Sequence, residues 1–441
     1  NVFMAARSEM ALSLGFHIIY ACIGMVMPFF MAVSHYQWIK TKQNVYKNLT
    51  KAWSKGVAIF FATGAVSGTV LSFELGLLWP TFMKHAGPIF GMPFSLEGTA
   101  FFIEAIALGF FLYGWDRFNV WFHWITGLVV GISGLASGIL VVSANAWMNS
   151  PAGFDYVNGE YLNIDPVKAM FNDAWFSQAL HMTLAAFAAT GFAVAGVHAI
   201  MIVQKKNTLF HSKAFKIAAI FAAIAAVLQP VTGDFSAKDV ARRQPAKLAA
   251  MEAHFHTQES APLIVGGIPD VQNKKVDYAI ELPGMLSFLA HGDFTSEVIG
   301  LDKIPVEEQP PVAIVHYAFQ VMVGCGVVMM LISLVFFIAL LKKKWFYSMW
   351  LLKLFIVGLP LGFIAVEAGW TVTEVGRQPW IIQGVMRTAD AVTPMPGIIW
   401  SFYLFTLIYI SLSMAVVFLL YRQIKMVPVL YDRNEIDPIQ S

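Results

Sequence analysis

Apolar residues gather in nine long, nearly uncharged stretches, at about 10–34, 56–79, 95–115, 120–144, 175–203, 214–233, 311–341, 350–373 and 397–421. A helix of about 20 apolar residues crosses the roughly 30 Å of hydrocarbon in a bilayer, and each stretch is long enough to do so. The pattern predicts an all-α polytopic membrane protein with nine transmembrane helices. The connections are short except at 234–310, which is rich in proline, charge and histidine. A bundle does not need roughly 75 residues merely to join two helices, so this loop is expected to have a function of its own. Within it PAKLAAMEAHF (245–255) reads as a short amphipathic helix. The expected organisation is 1–233 with the first six helices, 234–310 as an extracytoplasmic loop, and 311–441 with the last three helices and a short cytoplasmic tail.

Charge distribution adds an orientation. With nine spans the loops alternate between two sides, and one side holds 17 of the 29 Lys and Arg, among them Lys40, Arg117, Lys205, Lys342, Lys343, Lys344 and Arg433. Seven of the remaining twelve sit in the long loop, which the positive-inside rule discounts. The N-terminus is therefore expected outside and the C-terminus in the cytoplasm. The first stretch ends in polar sequence without a small-residue cleavage pattern and is read as a retained helix rather than a signal peptide. A composition 58% hydrophobic and only 13% charged would leave a soluble globule covered in apolar surface. The net charge of +2 with no basic block gives no nucleic-acid footprint. Cys22 and Cys325 both lie inside stretches and receive no role.

Ionisable residues inside a membrane are costly, so each is a functional candidate facing the bundle interior or a cavity. His17, Glu97, Glu104, His181, His198, His316, Glu367 and Glu374 stand out. With the N-terminus outside, His17, Glu97, His181, His316 and Glu374 fall in the outer part of the membrane. Glu97 and Glu104 are seven residues apart, as are Glu367 and Glu374, which puts each pair on one helix face about 10 Å apart along the axis. Imidazoles and carboxylates at one depth among aromatic residues suit flat redox cofactors held between helices. An interhelical hydrogen bond remains the competing reading for each of them alone. For Glu97, Glu104, Glu367 and Glu374 proton relay competes as well.

Several longer motifs point further. The run VEAGWTVTEVGRQPW (366–380) resembles the signature of subunit I of cytochrome bd ubiquinol or menaquinol oxidases. The same family is suggested by the first helix with Arg7 and His17, by GPIFGMPFSLEGTAFFIEA (87–105) followed by YGWDR (113–117), by VSANAWMNSP (142–151) and by KLAAMEAHF (247–255). The resemblance implies that His181 and Met322, in FQVMVGCG, are the axial ligands of a low-spin haem b558. It implies that His17 and Glu374 ligate the two high-spin haems, b595 and d, without saying which takes which. It places Glu97 beside these haems as a further ligand or close partner, Glu104 on the proton route and Trp370 packed among the haems. Arg377 is then offered to a haem propionate, and Lys247 and Glu252 belong to a quinol-binding loop, where a cation polarises a quinol oxygen and a carboxylate accepts its proton. On composition alone, Lys247 and Glu252 read as a solvated helix face and Trp370 as an ordinary buried tryptophan. Two departures from the family pattern stand out. The loop lacks the long insertion of some members, and Gln320 stands where some members carry a basic residue.

The expected activity is thus oxidation of quinol at the outer face and reduction of O2 to water with protons drawn from the cytoplasm, separating charge without pumping. The expected partners are a second membrane subunit, a very small single-helix subunit in some members, quinol, O2 and the lipid bilayer. Rival readings are a two-haem cytochrome that does not reduce O2, a haem-free structural subunit, and a proton-coupled transporter relaying through Glu97, Glu104, Glu367 and Glu374. Transporters usually show internal repeats or broken helices, and the sequence suggests neither.

Overall fold

A computed structural model describes residues 2–206, 208–342 and 345–425. Lys343, Lys344, Arg433 and the expected C-terminal tail lie outside the described residues. Among them nine helices are long and apolar enough to cross a membrane. They are α1 (Val2–Thr41), α2 (Asn44–Leu78), α3 (Pro80–Tyr113), α4 (Val120–Asn149), α6 (Trp175–Val203), α7 (Thr208–Arg243), α10 (Val312–Leu341), the tandem pair α11 (Met349–Gly358) and α12 (Leu361–Val375), and α14 (Ile398–Lys425). Short helices α5 (Pro166–Met170), α8 (Pro245–Met251), α9 (Met285–His291) and α13 (Thr388–Ala391) lie in the connections.

All nine predicted spans are present, and most helices run beyond the apolar stretch. The stretch expected to end at 233 continues to Arg243, so the first ten residues of the predicted loop are helical. The cause is local. Asp234 pairs with Lys238, and Asp239 pairs with Arg242 at 2.7 Å and Arg243 at 3.5 Å, at the three- and four-residue spacings that support a helix in water. A second difference is a break in the eighth span, which the sequence reading took as unbroken. Pro360 has no N–H to continue the ladder, and α11 ends at Gly358 before α12 starts at Leu361. A third is three two-stranded antiparallel hairpins, of which β3 (Leu263–Asp270) and β4 (Lys275–Leu282) occupy the long loop; the others pair β1 (Asp155–Val157) with β2 (Glu160–Leu162) and β5 (Trp380–Ile382) with β6 (Met386–Arg387).

Neighbouring helices pack as hairpins, α1 on α2, α3 on α4 and α6 on α7. In lipid the helices gain no hydrophobic drive from one another, so close approach depends on small residues. At Gly362 a Cβ would lie 2.2 Å from Ala189 Cα, and at Gly191 one would lie 2.7 Å from Ala222 Cβ. Thus α12 and α7 both press onto the small-residue faces of α6. A continuous core built on Phe30, Phe192, Phe215, Phe336 and Phe355 fills the bundle where α1, α6, α7, α10 and α11 converge. That arrangement leaves polar groups at the end where α4, α12 and the long loop meet.

Candidate functional site

At that end the C-terminus of α12 presents Glu374 to the C-terminal turns of α4. Asn145 Nδ2 donates to Glu374 Oε1, and Arg377 pairs with Glu374 Oε2. Asn149 Nδ2 donates at 3.0 Å to both the main-chain and side-chain oxygens of Asn145. Lys247 Nζ reaches Asn149 Oδ1 at 2.7 Å and Gln244 Oε1 at 2.9 Å. Gln244 in turn donates at 3.1 Å to Asn149 and to Gln383. A polar chain therefore joins α8 in the loop to Glu374.

This overturns the composition-based reading of Lys247 and Glu252 as a solvated face, for Lys247 is 3% exposed and Glu252 is 0% exposed. α8 is too short to have a wet side here; its alanines and Met251 pack against α10 and α12. Burial pushes the Lys247 amine well below the usual lysine range, Arg377 adding to the effect and Glu374 opposing it. Burial raises the Glu252 carboxyl to about 8; the Ile264 backbone amide eases that shift, yet neither carboxyl oxygen has a well-formed hydrogen bond among the described residues. The structure does not join Glu252 to the Lys247 network. It faces strand β3 instead.

A hydroxyl faces Nδ1 of each of His17 and His181. Ser67 Oγ donates to Thr63 O at 2.9 Å, so it accepts from His17 Nδ1 at 2.8 Å, and Nε2 is the nitrogen left available. A Cβ at Gly68 would lie 3.1 Å from His17 Cε1, so glycine makes room for the ring. His181 Nδ1 lies 3.1 Å from Thr232 Oγ1, which itself donates to Gln229 O at 3.0 Å. Gln229 Nε2 lies 3.2 Å from His181 Nε2. Met322 of α10 turns its sulfur to α12, where a Cβ on Gly369 would lie 3.0 Å away.

Glu97 and Glu104 share the face of α3 toward α4, as their spacing predicts. Ser137 donates to Glu97 at 3.0 Å, and the buried Glu104 carboxyl fills the space beside Gly134. Glu367 faces α1 at Gly15, with Oε1 buried and unpartnered. Trp370 packs on the main core. Arg7 lies over the Phe3 ring at 5.2 Å, and no contact brings it to the Glu374 cluster.

His316 is a structural residue by geometry, with both ring nitrogens facing main-chain carbonyls. His198 meets His211 at 2.7 Å. Sequence reasoning passed over Asn145, Asn149 and Gln244, although two of these stand in the quoted VSANAWMNSP run. It also missed the wholly buried Glu9 and Glu74, which bond Ser401 at 2.6 Å and Ser13 at 2.8 Å respectively. An acidic residue near the end of an apolar stretch was the available signal.

The residues present fit haem. His17 and His181 are held at one nitrogen by hydroxyls, and Arg377, 2% exposed, has Nε and Nη1 with no partner among the described residues, a donor pair suited to a propionate. A multi-helix membrane bundle with oriented imidazoles and a carboxylate paired to a buried arginine is the donor set of a membrane redox protein.

Comparison with known proteins specifies the family. Residues 5–428 match the family model for cytochrome bd terminal oxidase subunit I, and the chain belongs to that family. It is 37% identical over 435 residues to a putative cytochrome bd menaquinol oxidase subunit I of Bacillus subtilis (strain 168), covering 97% of this chain and 98% of that protein. It is 26% identical over 462 residues to the cytochrome bd-II ubiquinol oxidase subunit 1 of Escherichia coli (strain K12), covering 89% and 90%. The structure of bd oxidase from Geobacillus thermodenitrificans superposes with a TM-score of 0.92 at 39% identity, covering 97% of this chain and 99% of that one. The chain is a multi-pass bacterial membrane protein and a terminal oxidase subunit.

Proposed function

We propose that the chain oxidises quinol at the loop end of its bundle and supplies the protein ligands for the haems at which O2 is reduced to water. The observation that carries this reading is the polar chain from the buried Lys247 through Asn149 and Asn145 to Glu374 and the buried Arg377. It connects the loop that resembles a quinol site to the carboxylate that resembles a haem ligand. When bound, the haems supply one-electron transfer and the open iron for O2, with His181 and Met322 holding low-spin haem b558, and His17 and Glu374 holding the high-spin haems b595 and d between them.

The chain's own residues do the rest. Ser67 and Thr232 turn their histidines, and the free nitrogens of Arg377 hold a propionate. Glu252, facing strand β3, takes a proton from quinol, and Lys247, in the separate network with Asn149 and Gln244, polarises a quinol oxygen. Glu97 and Glu104, with Ser137 between α3 and α4, line a polar path for protons drawn from the cytoplasm, with the N-terminus outside and the C-terminus inside. Trp370 packs against the haem group, and Arg7 lies at the same end of the bundle. Proton release on one side and uptake on the other separates charge without a pumping step. The second membrane subunit, and a small single-helix one, complete the complex in the bilayer.

The test is oxygen uptake by the purified complex. The wild type consumes O2 with quinol and with a one-electron dye that bypasses the loop, whereas Glu252→Gln keeps the dye reaction and loses the quinol reaction by about 10²-fold or more, the contribution of a general base. Equal quinol rates in wild type and variant would contradict the assignment.

A further inference from the structure

Gln320 and His316 stand four residues apart on α10 and so share one face. That face holds the long loop through main-chain groups alone. Gln320 Nε2 donates to Ile264 O at 2.9 Å, and Gly266 N donates to Gln320 Oε1 at 2.9 Å. The Gln320 amide thereby pairs with β3 as a neighbouring strand would. His316 faces Met251 O at 2.8 Å and Gly266 O at 3.1 Å. A neutral imidazole carries one N–H, so His316 donates to one of these two carbonyls, and together with Gln320 it sets the helix against loop residues 251, 264 and 266.

The strand is shaped for this grip. Gly266 and Gly267 have φ of +71° and +86°, and the ladder leaves Gly267 and the opposite Tyr278 unpaired between the Gly266–Ala279 and Ile268–Asp277 pairs. The left-handed backbone at Gly266 leaves its N–H on Gln320 and its C=O on the His316 ring, so the peptide faces α10 while the register of the hairpin is kept on both sides. A Cβ at Gly267 would lie 2.5 Å from Val276 Cγ1, so another side chain would displace the opposite strand. The segments held this way flank Glu252, which follows Met251 and lies against Ile264, with both carboxyl oxygens buried and unpartnered. The gripping helix also carries Met322, two residues beyond Gln320.

We propose that Gln320 and His316 are positioning residues for the quinol reaction, fixing Glu252 and strand β3 on the helix that bears Met322. The inference rests on the quinol reading of the loop. It also accounts for an amide at position 320. A neutral side chain with one donor and one acceptor matches the Ile264 carbonyl and the Gly266 N–H, whereas a basic side chain supplies donors only and leaves the Gly266 N–H without its acceptor.

The experiment compares wild-type complex, Gln320→Leu and Gly266→Val in quinol oxidation, dye oxidation and the reduced-minus-oxidised spectrum. Gln320→Leu removes both amide bonds from the helix side, and Gly266→Val attacks the same contact from the strand side. Both are expected to raise the quinol KM about tenfold, as loss of two modest hydrogen bonds implies, with kcat, dye oxidation and the low-spin spectrum kept within about twofold. An unchanged KM in both variants overturns the assignment, as does a KM that falls, which would mean the contact holds the site shut. Loss of the low-spin band and dye oxidation together with quinol oxidation also overturns it, since the role would then be to support the Met322 helix. If Gln320→Leu does not assemble, Gln320→Glu carries the test, because it keeps the acceptor for Gly266 and loses the donor to Ile264. A wild-type complex that oxidises the dye but not quinol overturns the underlying quinol reading instead.

Discussion

Glu252 combines full burial with an unpartnered carboxyl, and that combination has a pH signature. Its carboxyl is raised to about 8, so at neutral pH it is mostly protonated and cannot accept a proton until pH rises through that value. Quinol oxidation is predicted to show a rising limb centred near pH 8 that Glu252→Gln abolishes, measured as kcat/KM against pH. The same shift affects stability with the opposite sense. A group whose folded pKa is raised stabilises the fold at low pH, and the contribution is lost as pH climbs from about 4.5 to about 8, so the loop is predicted to loosen over that window in wild type but not in Glu252→Gln. Proteolysis of the loop against pH measures this. For His17, Ser67→Ala removes the hydroxyl that orients the ring, and a loss of about 10- to 100-fold in ligand quality is expected, read as depleted high-spin haem content. The candidates His17, Glu97 and Glu374 were legible because ionisable groups are rare in apolar stretches. Asn145, Asn149 and Gln244 were not, because an amide is unremarkable until its partner is known, and these partners lie 95 to 229 residues away in sequence.

At the scale of elements, the membrane helices were readable because about 20 consecutive apolar residues leave few alternatives. Their ends were not, since beyond the hydrocarbon a helix continues on ion pairs such as Asp234 with Lys238. The break at Pro360 needed only the proline, yet a proline in a membrane helix is often accommodated without one. The β3–β4 hairpin escaped notice because glycines at 266 and 267 break the run of side chains in β3, and alternation on either side is too short to show. Contacts between elements give a prediction of their own. Gly362→Val places carbon atoms against the Ala189 backbone, and separation of α12 from α6 should cost about 3 kcal/mol or more, seen as lower thermal stability and reduced yield of assembled complex. Gly24→Ala, where a Cβ meets nothing within 4 Å, should be tolerated.

Over the whole molecule, the hydrophobic pattern defines a bundle, the bundle gathers α4, α8 and α12 at one end, and the polar chain there couples a loop to a carboxylate. α14 stands apart, with Trp400, Tyr403, Leu407 and Phe418 exposed, a face for lipid or for the second membrane subunit. The family gives the reaction class, and the residues proposed to serve it are Glu374, Arg377, Lys247 and Glu252 at this end and the histidines of α1 and α6. The central claim is that these residues hold three haems. The reduced-minus-oxidised absorption spectrum of the purified complex, with its haem extraction profile, tests that most directly. Two haems b and one chlorin-type haem d are predicted, with the low-spin signal lost in Met322→Leu and high-spin signals lost in His17→Ala and Glu374→Ala. A complex with no chlorin band, or one whose spectrum survives all three substitutions, would contradict the account.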